Sequence, residues 1–387
     1  MENYDIGIIG AGPAGVMAAW RATLEGAHTI LLERESNPGR KPCAEGILSE
    51  VLSDAEVAPQ KEFAIHKITG AFLYAPDEKR RVNVGGEGYI LDKPAFLHAL
   101  AERARTAGAE IVYGRTVEDV TRKNGEVLIT GKENGKQFSL KSSLVIGCDG
   151  TGSILARRFF PRENYQVVAA FQYSMLDCRV EDESKLEIFV GHEKAPAGYI
   201  WIFPKGSGRA NVGIGLKGTG AKQFLDRFVE GHPHVFSEAK IERSQAAPVP
   251  VGGEVGQYVS NNFMLCGDAA GQVIPLTGAG IHTSLMAGKI AGEVAGKAVR
   301  EGDTTSTRLS EYKDKFEERF GRRIATSLKA LESFERFSDA ELNIITDFLE
   351  GQDLVEMANG FNPSKAIGLL VRHPVLAMKV AAQLLNS

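Results

Sequence analysis

Long apolar runs are what this sequence most lacks. The longest uncharged stretch, residues 269–288, has the count to cross a bilayer, but it contains four glycines, Pro275, Gln272, His282 and several hydroxyls. It reads as a ligand loop leading into a helix. Charge of one sign is equally scarce: 45 basic residues face 49 acidic ones, a net charge of −4, which gives no electrostatic reason to expect nucleic acid. The four cysteines, Cys43, Cys148, Cys178 and Cys266, lie far apart without CxxC or Cys/His spacing, so neither a disulfide scaffold nor a zinc site is indicated. A reducing cytoplasm is the expected location. His232 and His234 in GHPH have no third ligand nearby and Pro233 signals a solvated loop, so no metal is assigned. Glu2 and Asp5 interrupt the start of the chain, which does not read as an export signal.

Glycine is abundant, at 43 residues or about 11% against a usual value of about 7%, and the excess points to ligand loops and close backbone approaches. With 387 residues the chain is too long for one small core and predicts two or three units. Residues 4–10 (YDIGIIG) read as a buried strand, a Gly-rich turn follows, and Ala18, Ala19 and Ala22 continue at helical spacing. A second apolar run, 29–32, ends in Glu33 and closes a β-α-β unit. Phe96, Leu97, Leu100, Ala101 and Ala104 predict a helix stopped at Gly108. Residues 110–147 carry short β patterns, with Asn134-Gly135 as a hairpin turn and SLVIG as a central strand. Between 165 and 251 the pattern alternates and predicts an antiparallel sheet, interrupted by a helix at 221–229. Residues 264–271 (MLCGDAAG) then resemble another parallel strand end, so the first unit is completed late in the chain. The last 80 residues are helical in period, with Pro363 and Pro374 as punctuation.

Gly10-Ala-Gly12-Pro-Ala-Gly15 is a GxGxxG motif between a strand and a helix. The first glycine permits the turn, the second lets a pyrophosphate reach backbone N–H groups, and the third lets helix and strand pack closely. Glu33, eighteen residues after Gly15, is placed to accept ribose hydroxyls. An adenine dinucleotide is expected, NAD and FAD being equally compatible with the fingerprint. Asp149 and Asp268 each follow an apolar strand, where an aspartate either caps a turn or meets a nucleotide.

Together with TGAGIH at 277–282, these motifs resemble flavoproteins of the p-hydroxybenzoate hydroxylase type. The resemblance narrows to the geranylgeranyl reductase family, including archaeal enzymes that saturate isoprenoid chains of membrane lipids. It is carried by PCAEG (42–46), GYILDKPAFLHALAERA (88–104), GYIWIFPKG (198–206) and GDAAGQVIPLTGAGIHTSLMAG (267–288). It implies an α/β architecture: a Rossmann-like FAD-binding domain from 1–65, 90–160 and 258–300, a second domain with an antiparallel sheet from 66–89 and 161–257, and a helical C-terminal region, 301–387. It further implies that FAD meets Gly10, Gly12, Ala14, Gly15, Glu33, Cys43, Ala44, Gly46, Lys93, Val117, Asp268, Gly280 and Ile281. The family carries arginine where this chain has Lys93, and lysine offers a point charge without the bidentate fork. Gly280 and Ile281 would begin a helix whose positive end stabilises the anion of a reduced flavin.

An isoprenoid C=C is unactivated, so its reduction needs a proton at one carbon as hydride from flavin N5 reaches the other. Cys43 is the candidate proton donor, although its role could equally be steric; His282 and Tyr199 are the other groups able to donate. Tyr199, Trp201, Phe203 and Pro204 are the candidate substrate contacts, the three aromatics sharing one strand face. The substrate would be a prenyl chain of archaeal-type ether glycerophospholipids, the electron donor ferredoxin or NAD(P)H. Residues 364–385 mix apolar side chains with Lys365, Arg372 and Lys379, a pattern for packing on the body or for peripheral contact with a membrane surface. Three other readings remain: a flavin monooxygenase or halogenase, a reductase of menaquinone tails, and a prenyl-binding escort without flavin chemistry. The YxWxFP order, in place of the WxWxIP common in halogenases, and the intact fingerprint favour the reductase.

Overall fold

The computed structural model describes residues 2–352 apart from 40, 124 and 162–164. Two sheets of eight strands each organise them. The chain enters with the β-α-β unit that the periodicity predicts: β1 (Glu2–Ile9), α1 (Pro13–Leu24) and β2 (Thr29–Glu33). It then leaves for the second sheet through β3 (Gly46–Leu48), α2 (Ser49–Asp54), β4 (Ala64–Tyr74) and β5 (Arg81–Leu91), and returns by α3 (Lys93–Thr106). Asp92 caps α3 by accepting the Ala95 N–H at 3.0 Å. The first sheet continues with β6 (Glu110–Tyr113), β7 (Arg115–Lys123), β8 (Glu126–Glu133) and β9 (Lys136–Gly147), the β8–β9 turn falling on Asn134 and Gly135, both at positive φ.

After α4 (Ile154–Phe159) the second sheet is completed by β10 (Val167–Leu176), β11 (Lys185–Val190), β12 (Tyr199–Gly206), β13 (Arg209–Leu216), the helices α5 (Ala221–Gly231) and α6 (Pro233–Phe236), and β14 (Lys240–Pro250). β15 (Val259–Ser260) and β16 (Phe263–Leu265) rejoin the first sheet, followed by α7 (Ile281–Glu301), α8 (Ser306–Phe316), a π-helical turn at Glu317–Gly321, α9 (Arg322–Phe334) and α10 (Asp339–Phe348). The first sheet runs β15-β16-β9-β1-β2-β6, and β16, β9, β1, β2 and β6 are parallel neighbours. β9 is thus central, and its C-terminal end lies beside those of β1 and β16, where an open α/β sheet binds its ligand.

The second sheet runs β14-β10-β13-β12-β11-β4-β5-β3. It departs from the expected antiparallel pattern at one place, where β11 and β4 are parallel. A chain that joins the sheet in two visits has no hairpin to impose direction at that seam. β3, which the sequence boundaries assign to the first unit, pairs antiparallel with β5 at the edge of this sheet. One face is covered by α5 and α6, forming a core with Ile200, Ile202, Val212, Ile214, Leu225 and Phe228. The other face carries the odd residues of β12 and β13.

The GHPH segment is not the solvated loop that Pro233 suggests. Pro233 opens α6, a position where its missing N–H costs nothing, and His232 is half-buried on the Phe228 ring with Nε2 2.8 Å from Glu78. Burial opposes ionisation of Glu78, yet bonds from His232 and Lys194 bring its carboxyl down to about 2. α10 is tied to the second sheet: Asp339 at its start accepts the His192 N–H at 2.7 Å, and Asn343 accepts that of Asp77. The amphipathic stretch 364–385 lies outside the described residues.

Candidate active site

The three glycines of the fingerprint are geometrically distinct. A Cβ at Gly15 would lie 1.8 Å from the Gly10 carbonyl oxygen, and one at Gly10, at φ +98°, would lie 2.5 Å from that of Cys148. These two positions close the turn and pack helix on strand. A Cβ at Gly12 would meet nothing within 4 Å, so there is open space beside the turn that leads into α1. At the rim, Glu33 ends β2 almost fully buried and accepts the Ala11 N–H at 2.6 Å and the Glu35 N–H at 2.9 Å.

The other strand ends converge here. Ala14 lies 3.4 Å from where a Gly267 Cβ would be, which joins the GxGxxG turn to the Gly267-Asp268 turn. Asp149, at the end of β9, accepts the Ile154 N–H at 2.7 Å, while its buried Oδ1 has no hydrogen-bond partner. Burial pushes this carboxyl up. The Asp268 carboxylate pairs with Lys41, and its carbonyl accepts the Tyr165 hydroxyl at 2.6 Å. Gly280 caps α7, and a Cβ there would come within 3.6 Å of Asp268 Oδ1, so Gly280 and Ile281 present a 21-residue helix to the place where the motifs meet. Val117 is buried on β7 within the first core.

Residues 41–46 cross between the two sheets. Cys43 is half-buried and its Sγ accepts the Glu45 N–H at 3.4 Å. Lys93 Nζ donates to the Lys41 carbonyl at 2.6 Å, which ties the start of α3 to this loop. Ala44 turns its carbonyl to Asn211 Nδ2 at 3.3 Å, and a Cβ at Gly46 would strike the Phe203 ring at 2.7 Å.

On the facing side of the second sheet stand Tyr199, Trp201 and Phe203. They pair across strands with Gly215, Gly213 and Asn211, and Gly213 leaves room for the indole, which a Cβ there would meet at 2.2 Å. The Trp201 N–H donates to Gln172 at 3.3 Å and the Tyr199 hydroxyl donates to the Thr277 carbonyl. Burial first, and Cys43 nearby second, push the Tyr199 phenol up to about 12, so it keeps its proton at neutral pH. Pro204 is a correction to the substrate group. It has the parity of Ile200 and Ile202 and pairs with Ala210, which places it on the sheet's opposite face, the one packed into the second core.

His282 is directed elsewhere. It bonds Asp54 at 2.7 Å, Asp54 also accepts Arg319 at 2.6 Å, and burial lowers the imidazole pKa although Asp54 opposes this. The neutral ring therefore ties α7 to α2 and to the turn before α9. No spacing rule singles out Asp54, Arg319, Glu45, Lys205 or Asn211, because each is an ordinary polar residue until distant segments meet.

A glycine turn between strand and helix, a buried acidic residue ending the next strand and a long helix beginning beside Asp268, with the Cys43 loop tied to Asp268 and Tyr199 tied to Thr277, make the arrangement that a two-sheet flavoprotein oxidoreductase would use. Residues 5–163 match the family model described as FAD dependent oxidoreductase, and residues 166–249 match the geranylgeranyl reductase catalytic domain. The chain is 36% identical to digeranylgeranylglycerophospholipid reductase 2 of Methanopyrus kandleri, over 99% of this chain and 100% of that one. It is 27% identical to the crystal structure of a geranylgeranyl bacteriochlorophyll reductase-like protein of Thermoplasma acidophilum, with a TM-score of 0.87 over 99% and 100% of the two chains. A flavin-dependent brominase is similar at 16% identity and a TM-score of 0.74, covering 92% and 94%, which shows the fold alone. The chain belongs to the geranylgeranyl reductase family and is an FAD-dependent oxidoreductase.

Proposed function

We propose that this chain saturates C=C bonds of prenyl chains on archaeal-type ether glycerophospholipids. The observation that carries the reading is the apposition of the strand bearing Tyr199, Trp201 and Phe203 to the loop that bears Cys43, a loop joined to Asp268 through Lys41, with Tyr199 bonded to Thr277 just before the Gly280-Ile281 segment. A hydrocarbon chain has no polar group along its length, so its affinity rests on apolar area at roughly 25 cal/mol per Å², less the cost of ordering it. An aromatic strip supplies such area.

FAD supplies a hydride from N5 when bound and reduced. Gly12, the N–H groups at the start of α1 and Glu33 would hold its adenylate half; Asp268, Gly280 and Ile281 would hold the half that reacts. Cys43 would deliver the proton, and the Tyr199 phenol, near enough to feel the Cys43 thiol, keeps its own proton throughout the physiological range. Lys93 would steady the loop through the Lys41 carbonyl, while Pro204 lies on the sheet face that packs into the second core.

Anaerobic incubation of the reduced protein with geranylgeranyl lipids, followed by mass spectrometry of the products, tests the reading: hydrogen pairs added to the chain are expected. Products that form only with O₂ and carry oxygen or halogen would replace it with the monooxygenase reading, and saturation of menaquinone tails alone would move the substrate. The electron donor belongs to the same proposal and is ferredoxin or NAD(P)H. No helix among the described residues is long and apolar enough to cross a membrane. Peripheral contact through 364–385, from a cytoplasmic position, is tested by liposome co-sedimentation of a chain ending before Ser364, where unchanged binding removes the contact.

A further inference from the structure

The loop carrying Cys43 is anchored at both ends, and the two anchors belong to different sheets. At its start, Lys41 pairs with Asp268 and gives its carbonyl to Lys93 Nζ, both on the dinucleotide side. At its end stands Glu45, a non-glycine residue at φ +70°, a conformation that persists only when the surroundings enforce it. The surroundings are specific. The Glu45 carbonyl accepts the Leu91 N–H at 2.9 Å, and Oε1 accepts the Lys93 N–H at 3.4 Å. Oε2 pairs with Lys205 and accepts Asn211 Nδ2 at 2.8 Å. The side chains of Glu45 and Lys205 are 11% and 14% exposed and Asn211 is wholly buried, so these charged bonds form largely out of water, where they are strongest. The same Asn211 amide also reaches the carbonyls of Ala44 at 3.3 Å and Cys43 at 3.5 Å, and the Glu45 N–H is the one that meets Cys43 Sγ.

Lys205 and Asn211 are not arbitrary neighbours. Lys205 lies two residues beyond Phe203 on β12, and Asn211 is the cross-strand partner of Phe203 on β13. The strands that display the aromatic face therefore also hold the thiol. We propose that Glu45, clamped by Lys205 and Asn211, is a positioning residue that sets Cys43 Sγ relative to the aromatic face, so that hydrocarbon and proton donor are registered by one piece of sheet. The part concerning turnover rests on the prenyl-reductase reading; the clamp itself does not.

The test uses the full-length, FAD-loaded protein and the rate at which iodoacetamide alkylates Cys43, followed by peptide mass spectrometry with Cys148, Cys178 and Cys266 as internal controls. Glu45→Gln and Lys205→Met should each change the Cys43 rate by about tenfold, the scale of one charged hydrogen bond, while the other three cysteines are unaffected. Lys205→Arg, which keeps the charge, should restore it, and Lys67→Met, at an exposed ion pair, should leave it unaltered. With geranylgeranyl lipid, kcat should fall by about tenfold or more in the first two variants with KM nearly constant, as expected for a misplaced donor. Unchanged Cys43 alkylation in both variants, a parallel change at all four cysteines, or a Cys43 change with constant kcat would each overturn the proposal. If wild-type protein leaves prenyl lipids untouched, the alkylation result still decides the clamp and the failure falls on the substrate alone.

Discussion

Single residues in this protein derive their chemistry from where burial puts them. Glu187 on β11 is 4% exposed, and burial first, then the neighbouring Glu181, push its carboxyl up to about 7. In the unfolded chain the same group releases its proton near 4.5. Between these values the unfolded state binds fewer protons than the folded one, so stability falls as pH rises through the interval. Glu187→Gln should abolish this slope, raising the urea midpoint at about pH 8 and changing it little at about pH 4, below both values. A midpoint that drops equally at both pH values would show instead that the carboxyl makes a needed bond. Cys43 illustrates the same dependence on place: its thiol is ordinary in sequence, and only Glu45, Lys205 and Asn211 make its position particular.

Elements are joined by glycines that permit close approach. On α7, a Cβ at Gly288 would lie 2.1 Å from the Ala14 carbonyl oxygen and one at Gly292 would lie 2.5 Å from that of Ala18, so the helix behind the Gly280 turn sits directly on the helix behind the phosphate turn. Gly288→Ala should force the two apart and cost about 1–3 kcal/mol in urea denaturation, as overpacking does. Gly12→Ala is the contrasting case. The added methyl meets no protein atom and the backbone, at φ −73°, suits alanine. Stability without FAD should hardly change, whereas FAD affinity, read by flavin fluorescence titration, should fall by about tenfold or more because the methyl occupies the phosphate's approach. Unaltered affinity would move the pyrophosphate away from this turn.

At the scale of the whole molecule, the proposed cofactor site draws on segments from both ends of the first sheet's sequence and on a loop held from the second sheet. Such a site links cofactor binding to global stability. Removing FAD should lower the thermal midpoint, and adding it back at about 100 times its dissociation constant should restore about 2.7 kcal/mol. Differential scanning calorimetry at several FAD concentrations checks this; a midpoint independent of FAD would mean that the segments do not converge on one ligand.

Periodicity and spacing made much of this legible. The first strand, turn and helix, the Asn134-Gly135 hairpin, the α3 helix and the late return of β16 all follow from local rules, because each is stabilised by neighbours in sequence or by an obligatory turn geometry. The GxGxxG turn was legible for the same reason: Gly10 sits at positive φ and Gly15 leaves room for the Gly10 carbonyl, both local demands of a strand-to-helix turn. Tertiary structure alone decided that β11 lies parallel to β4, that Pro204 faces the core while Phe203 faces the loop, that His232 stacks on Phe228, that Lys93 supports a carbonyl, and that His282 belongs to Asp54. Those outcomes depend on contacts between residues tens to hundreds of positions apart, where the energy of a buried charge or ring is set by what the rest of the chain brings beside it.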